Sequence, residues 1–193
     1  MKLDKAYWNL QYELNKYGWD IGYPSTPIKN YIDQLTDKSI KILIPGAGHA
    51  YEAEYLYNLG FHNTFVLDYA ENAISKFKAR VSNFPDTQIL VEDFFKHDKQ
   101  YDLIIEQTFL TSLPRSMREA YARKMHDLLN ANGKLVGLVF NHEFGNDSPP
   151  YGGTPEEYKL LFNPYFNFKT FEVSNNSIKP RWDREHFFIL LKK

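Results

Sequence analysis

The chain of 193 residues contains no cysteine. That absence excludes a disulfide framework, thiolate metal sites, iron–sulfur clusters and a cysteine nucleophile. A charge excess is missing too: 23 Lys+Arg stand against 24 Asp+Glu, a formal net charge of −1. Nucleic-acid binders need basic residues in excess to neutralise phosphates, so no nucleic-acid partner is expected. No apolar run approaches the roughly 20 residues of a membrane helix, so no membrane partner is expected either. The start, Met1-Lys2-Leu3-Asp4-Lys5, leads into no apolar stretch of the secretory type, and a cytoplasmic location is the expectation. Repeats, linkers and low-complexity segments are lacking, and the six histidines form no metal-ligand spacing.

What is present is the material of a core: 43% of the residues are hydrophobic, 17% aromatic and 24% charged. Disorder and a membrane bundle are both excluded by that balance. At roughly 150 residues per domain, the length predicts one domain, with 1–36 as an N-terminal helical segment and 37–193 as the core.

Residues 4–16 predict an amphipathic helix with Tyr7, Leu10 and Leu14 on its apolar face. Gly18, Gly22 and Pro24 force a loop, and Thr26-Pro27 opens a helix near 27–35. An alternation then begins. Strands are predicted over 41–44, 64–68, 88–91, 101–106 and 134–141, with helices over 50–59, 71–82, 115–129 and 155–162. Strands alternating with helices indicate a parallel sheet with helices on both faces. The ending differs: 168–173 and 186–191 read as strands whose connection has no room for a crossover helix. They should be antiparallel neighbours. A mostly parallel seven-stranded sheet closed by an antiparallel terminal strand is the α/β, Rossmann-like three-layer architecture of the class I methyltransferases.

Ile44-Pro45-Gly46-Ala47-Gly48-His49-Ala50-Tyr51-Glu52 joins the first strand to a helix, at the strand edge where open α/β sheets bind ligands. Its glycines allow close backbone approach, and the helix start offers unpaired N–H groups. Tyr51 stands where a dinucleotide fingerprint wants glycine or alanine, which argues against a pyrophosphate. Asp68, followed by Tyr69, closes the second strand, where a carboxylate can accept two ribose hydroxyls or serve the start of the next helix. Glu92-Asp93-Phe94 ends the third strand with a carboxylate for an adenine amino group and a ring for the base; it also reads as a turn. Glu106-Gln107-Thr108-Phe109 ends the fourth.

Trp8, Tyr12, Trp19-Asp20, Thr26-Pro27, Pro45-Gly46-Ala47-Gly48, Leu67-Asp68, Glu92-Asp93-Phe94 and Pro149-Pro150-Tyr151 occur in that order. The series resembles the thiopurine S-methyltransferase superfamily, and within it the plant halide/thiol methyltransferases. The resemblance runs from about Trp8 to the C-terminus. It implies S-adenosylmethionine as methyl donor, S-adenosylhomocysteine as its product, and no metal. It places Trp8, Tyr12 and Trp19 over the cofactor as a lid, Gly46 against the methionine part, Asp68 on the ribose, Asp93 and Phe94 on the adenine, and Gln107 by the sulfonium. Ala47, Gly48, Glu52, Tyr69 and Glu106 complete the set expected at the cofactor. Two departures, Tyr12 in place of a tryptophan and Ala47 and His49 in place of cysteine and glycine, leave the substrate's shape open.

A lid of rings also has a physical reason, because a ring face attracts a cation such as a sulfonium by roughly 0.5–2 kcal/mol. The same tryptophans could instead cap the core. Thiolates, bisulfide, thiocyanate and halides are good nucleophiles that need no general base, which agrees with the absence of an evident acid/base dyad. Transfer to O or N of a small metabolite would need one, with Asp20 or Glu106 the suspects, and a non-catalytic cofactor-binding module is a further alternative. Tyr151 is the candidate for orienting the nucleophile, and Arg181 either gives an anionic substrate a positive field or is an exposed loop cation. Ser148-Pro149-Pro150-Tyr151 also matches the motif of DNA cytosine-N4 methyltransferases, but it follows the fifth strand instead of the fourth and no basic face accompanies it. Arg115, Arg118, Arg123 and Lys124 read as a solvated helix face, His49 as near the cofactor, and His62, His97 and His126 as surface residues. The expected partner is a small-molecule substrate, and the expected state a monomer or weak dimer.

Overall fold

The computed structural model describes residues 3–145 and 147–193. Strands β1 (Ile42–Pro45), β2 (Thr64–Leu67), β3 (Ile89–Leu90), β4 (Tyr101–Gln107), β5 (Leu129–Phe140), β6 (Phe166–Val173) and β7 (Glu185–Lys192) form one seven-stranded sheet. Its order is β3-β2-β1-β4-β5-β7-β6. The first five strands pair in parallel, while β7 runs antiparallel to both β5 and β6.

Why these strands are central follows from their residues. All of Ile42-Leu43-Ile44-Pro45 is buried, as a strand covered on both faces must be. The pleat sends Ile42 and Ile44 to one face, where they meet Ile28 and Ile32 of α2 (Thr26–Ile32), Ala53 and Leu56 of α3 (Tyr51–Asn58), and Ile74 and Phe77 of α4 (Glu71–Arg80). Leu43 points to the other, against Tyr121 and Met125 of α5 (Arg118–Asp127) and Phe162 of α6 (Pro155–Phe162). The result is three layers, helix–sheet–helix.

Helix α1 (Lys5–Glu13) departs from its predicted orientation. Leu10 and Leu14 are about half exposed, and the inward stripe is buried Tyr12 with partly buried Trp8, packed on Ala70 and Ala73 at the start of α4. Small alanines leave room for large rings, so the aromatic stripe, not the aliphatic one, decides which way the helix faces. Paired bonds from Asn72 to Asn9, both 3.1 Å, fix the register of α1 on α4.

The long helix predicted over 115–129 begins with a tight turn at Arg115–Met117, and β5 starts already at Leu129. Gly133 lies within β5, where the register shifts and Asn132 takes a φ of 65°. Two polar expectations also change. Arg118 is buried, not solvated, and its Nη2 donates to the Gly152 carbonyl at 2.7 Å. His97 is buried between Glu92 (Nδ1 to Oε1, 2.5 Å) and the Tyr101 hydroxyl (Nε2, 2.8 Å). A hydrophilic side chain on an amphipathic element reads as exposed until its partner, distant in sequence, is known.

The order of strands reverses between β1 and β4, the point at which open α/β sheets hold ligands beyond their carboxyl ends. Gly46 follows β1 there and Gln107 ends β4.

Candidate active site

At this switch point the chain leaves β1 through Gly46 and Gly48, with φ of 57° and 53°. A Cβ at Gly46 would sit 2.3 Å from the Phe109 ring, and one at Gly48 would sit 2.7 Å from the Tyr12 hydroxyl oxygen. Glycine is therefore required twice over, by backbone conformation and by close approach. Asp68, just past β2, ties this turn down: Oδ2 accepts the Gly48 N–H at 2.8 Å and Oδ1 the Ala70 N–H at 2.8 Å. Burial pushes the Asp68 carboxyl up, against the pull of those N–H donors. It thus serves both the glycine turn and the start of α4.

A cleft of about 420 Å³ opens beside Asp68. That falls within the roughly 300–1,000 Å³ of small-molecule sites. Trp8, Tyr12, Trp19, Gly46, Asp68, Tyr69, Asp93 and Phe94, all expected at the cofactor, line it. Asp93 starts a short turn by accepting the Phe95 N–H at 2.9 Å. Phe94 is buried, its ring 5.0 Å from that of Phe109. Tyr69 donates to the Leu3 carbonyl at 3.0 Å and so holds the N-terminal segment over the strand ends. Pro149 and Pro150 close another wall.

The rings of the N-terminal segment form a connected box. Trp8 meets Trp19 edge-to-face at 5.5 Å, Trp19 meets Tyr12 at 6.0 Å, and Tyr12 stacks on Tyr17 at 5.7 Å. Trp8, Tyr12 and Trp19 both pack on α4 and line the cleft.

Behind this box lies a smaller recess of about 60 Å³. Trp19, Asp20, Tyr23, the turn from Gly46 to Glu52, Gln107 and Thr108 line it, and Trp19, Gly46 and Thr108 are shared with the cleft. The predicted Ala47, Gly48, Glu52 and Gln107 are found here. Glu52 accepts the Ser25 N–H at 3.0 Å, and burial pushes its carboxyl up. His49 Nδ1 pairs with the Asp20 carboxylate. His49 Nε2 and Gln107 Oε1 are both buried without a hydrogen-bond partner.

Three predicted site residues line neither space. Glu106 points away from the cleft: its Oε1 accepts the N–H of Phe109 (2.7 Å) and of Leu110 (3.1 Å), and Oε2 accepts the Tyr121 hydroxyl. It secures the loop after β4 from inside the core. Arg181 is buried, not an exposed loop cation; Nη1 meets Glu185 at 3.3 Å and Nη2 donates to the Trp19 carbonyl at 2.6 Å. Its charge is matched internally, so it acts on the loop that carries Trp19. Tyr151 is held through its N–H, which donates to the Thr111 carbonyl at 2.7 Å, while its hydroxyl reaches the Asp147 carbonyl at 3.3 Å.

The sequence reading missed the stretch from Thr111 to Pro114 with Met117, which supplies much of the apolar wall. Among the described residues no group of three or more His, Asp or Glu is placed to hold a metal, and no helix is long and apolar enough to cross a membrane.

A family profile described as thiopurine S-methyltransferase (TPMT) matches residues 3–189. The probable thiol methyltransferase 2 of Arabidopsis thaliana is 26% identical over 176 residues, covering 89% of this chain and 77% of its own. Thiocyanate methyltransferase 1 of Brassica oleracea is 24% identical over 192 residues, covering 95% of this chain and 83% of its own. Among solved structures, the 1,6-didemethyltoxoflavin-N1-methyltransferase of Burkholderia thailandensis, with bound 1,6-didemethyltoxoflavin and S-adenosylhomocysteine, superposes with a TM-score of 0.80 at 14% identity. That superposition covers 99% of this chain and 87% of the other, and shows a shared fold.

Proposed function

Because the chain belongs to the thiopurine S-methyltransferase family, and so is an S-adenosylmethionine-dependent methyltransferase, we propose that it methylates a small soft nucleophile: a thiol, bisulfide, thiocyanate or halide. The observation that carries the choice of acceptor is the wall of the cleft formed by Leu113, Pro114, Met117, Pro149 and Pro150, none of them charged. Such a wall suits a small, soft nucleophile that sheds its water readily. The recess, lined by the glycine turn and Gln107, is left to the methionine end of the cofactor.

The residues present fit S-adenosylmethionine. Asp68 lines the cleft, where ribose hydroxyls can donate to its carboxylate, and Asp93 keeps its second oxygen for an adenine amino group beside the Phe94 ring. Gln107, whose Oε1 is buried without a partner, suits the polar end of the cofactor. When bound, the cofactor supplies a methyl group on a sulfonium, open to in-line displacement.

The protein's share of the reaction is positioning and exclusion of water. Trp8, Tyr12 and Trp19 offer ring faces to the sulfonium charge and shut out solvent. The Arg181 bond to the Trp19 carbonyl keeps that ring in place. Arg115 and Arg118, both donating to the Gly152 carbonyl, brace the loop that carries Pro149, Pro150 and Tyr151. Tyr151 orients the acceptor from this loop only if its hydroxyl leaves the Asp147 carbonyl, so we assign it a smaller role than the two prolines.

The test is to incubate the protein with S-adenosylmethionine and, in turn, iodide, thiocyanate and bisulfide, and to read the headspace by gas chromatography with mass detection. Iodomethane, methyl thiocyanate or methanethiol is expected. Cofactor binding without any methylated product would overturn the proposal.

A further inference from the structure

Arg118 opens α5 directly after Met117 of the cleft wall, yet it is only 7% exposed and lines no part of the cleft. Arginine is seldom buried this far unless its charge is matched. The two carboxylates that act on it, Glu143 and Glu157, are both bonded to Arg115 instead. Its Nε is buried without a hydrogen-bond partner. A buried donor left unpaired costs stability, so one that persists calls for an explanation.

What Arg118 holds is backbone. Its Nη2 donates to the Gly152 carbonyl at 2.7 Å and to the Tyr151 carbonyl at 3.2 Å. The Tyr151 N–H in turn donates to the Thr111 carbonyl at 2.7 Å. The next residue is pressed just as close: a Cβ at Gly153 would sit 3.0 Å from Arg118 Nη1 and 2.8 Å from the Tyr158 hydroxyl oxygen. Two stretches far apart in sequence are thus tied together beside one guanidinium. The first supplies Leu113, Pro114 and Met117 to the cleft, and the second supplies Pro149 and Pro150. These are the two sides of the wall assigned above to the acceptor.

We propose that Arg118 is a positioning residue that sets the width of the acceptor space, and with it a preference for narrow acceptors over flat aromatic ones, by fixing the Pro149–Pro150–Tyr151 loop against the stretch from Thr111 to Met117. This rests on the methyl-transfer reading above and deepens it. A planar guanidinium, with donors in fixed directions, suits two successive carbonyls. A lysine ammonium on a flexible stem keeps the charge without those directions. Once the loop can draw away from Met117, thiocyanate or a halide loses contact on one side, whereas an aryl thiol gains room. Asp68, Asp93 and the tryptophans of the N-terminal segment stand on other elements, so cofactor binding does not pass through Arg118.

Two measurements test this on wild type, Arg118→Lys and Gly153→Ala, the last of which crowds the same contact with the guanidinium still in place. Each variant should bind S-adenosylhomocysteine within about twofold of wild type. In the first measurement, hydrogen exchange is followed in that complex. Protection of the Tyr151 amide should fall about tenfold in both variants, the weight of one hydrogen bond to a charged group. The Asn141 amide, bonded to the Arg184 carbonyl at 2.9 Å, should keep its own. Unchanged protection at Tyr151 overturns the proposal. In the second, kcat/KM for thiophenol is compared with that for thiocyanate at a pH where both are anions. The ratio should rise about tenfold in both variants, through a higher KM for thiocyanate with its kcat little changed. Both acceptors slowed together at the wild-type ratio, or an affinity for S-adenosylhomocysteine that falls as far as the acceptor KM rises, would mean a merely structural role and refute the assignment. A wild-type protein that binds the cofactor product yet methylates neither acceptor would refute the methyl-transfer reading itself, a different result from turnover at an unchanged ratio.

Discussion

Replacing Glu106 with Gln should make the protein more stable at neutral pH and leave it little changed in acid. Glu106 is fully buried at the end of β4. Gly137 of β5 lies against it so closely that a Cβ there would come within 2.5 Å of the Glu106 Cβ. Burial, only partly countered by the Tyr121 hydroxyl and the Leu110 and Phe109 N–H donors, pushes its carboxyl from 4.5 up to about 7. A folded-state pKa above the unfolded one means the native state binds the extra proton. The associated stability is complete below about pH 4.5 and is lost as pH climbs through about 7. The size of that loss is about 3 kcal/mol, at 1.36 kcal/mol per unit. Glutamine copies the protonated form: its carbonyl can accept both N–H groups and its NH₂ can donate to the Tyr121 oxygen. Urea unfolding of both proteins across this pH range reads the effect. Taking the difference between them cancels the other titrating groups. The variant should gain on wild type by about 3 kcal/mol between the two ends of the window. Parallel curves, or a variant equally destabilised at every pH, would refute the reasoning.

Three further perturbations test the rest of the framework. Gly137→Ala should lower stability by about 1–3 kcal/mol, seen as a lower Tm, because its methyl group must displace Glu106 or the β4 backbone. Arg181→Met removes the charge partner of buried Glu185 and the donor to the Trp19 carbonyl. A loss of about 3 kcal/mol in unfolding and weaker binding of S-adenosylhomocysteine should follow, whereas unchanged binding would detach Arg181 from the lid. Trp8→Ala and Trp19→Ala should weaken S-adenosylmethionine, a cation, more than S-adenosylhomocysteine, a neutral thioether. Calorimetry should show an extra twofold to thirtyfold loss, matching about 0.5–2 kcal/mol, and equal losses for the two would remove the cation–π account.

How far the sequence discloses this site depends on the distance over which a signal must be read. That Asp68 and Asp93 line the cleft was legible because each lies within three residues of the end of a recognisable apolar strand, so the grammar of strand and turn puts them at that edge of the sheet. Glu106 and Gln107 also end a strand, yet they are adjacent and the pleat turns them to opposite sides. Choosing Glu106 for the cleft was an error of face, and only the neighbouring Gly137 and Tyr121, far off in the chain, reveal it. Arg118 and Arg181 looked like solvated cations because nothing local announces Glu185 or the carbonyls of Gly152 and Trp19. The Asp20–His49 pair, 29 residues apart, had the same obscurity. The parallel strands, the antiparallel β7 and the place of Trp8 and Trp19 beside the cleft needed no such long-range knowledge. Periodicity, a short final connection and the ordered series of aromatic and glycine motifs carried them.

The central claim, methyl transfer to a small, soft acceptor, meets its most direct test in a competition between acceptors. With methyl-labelled S-adenosylmethionine, initial rates are compared for bisulfide, methanethiol and a thiopurine at equal concentration. The account predicts labelled methanethiol and dimethyl sulfide as the main products, with the thiopurine the poorest acceptor. Label that goes to the thiopurine in preference to the small sulfur compounds would contradict it.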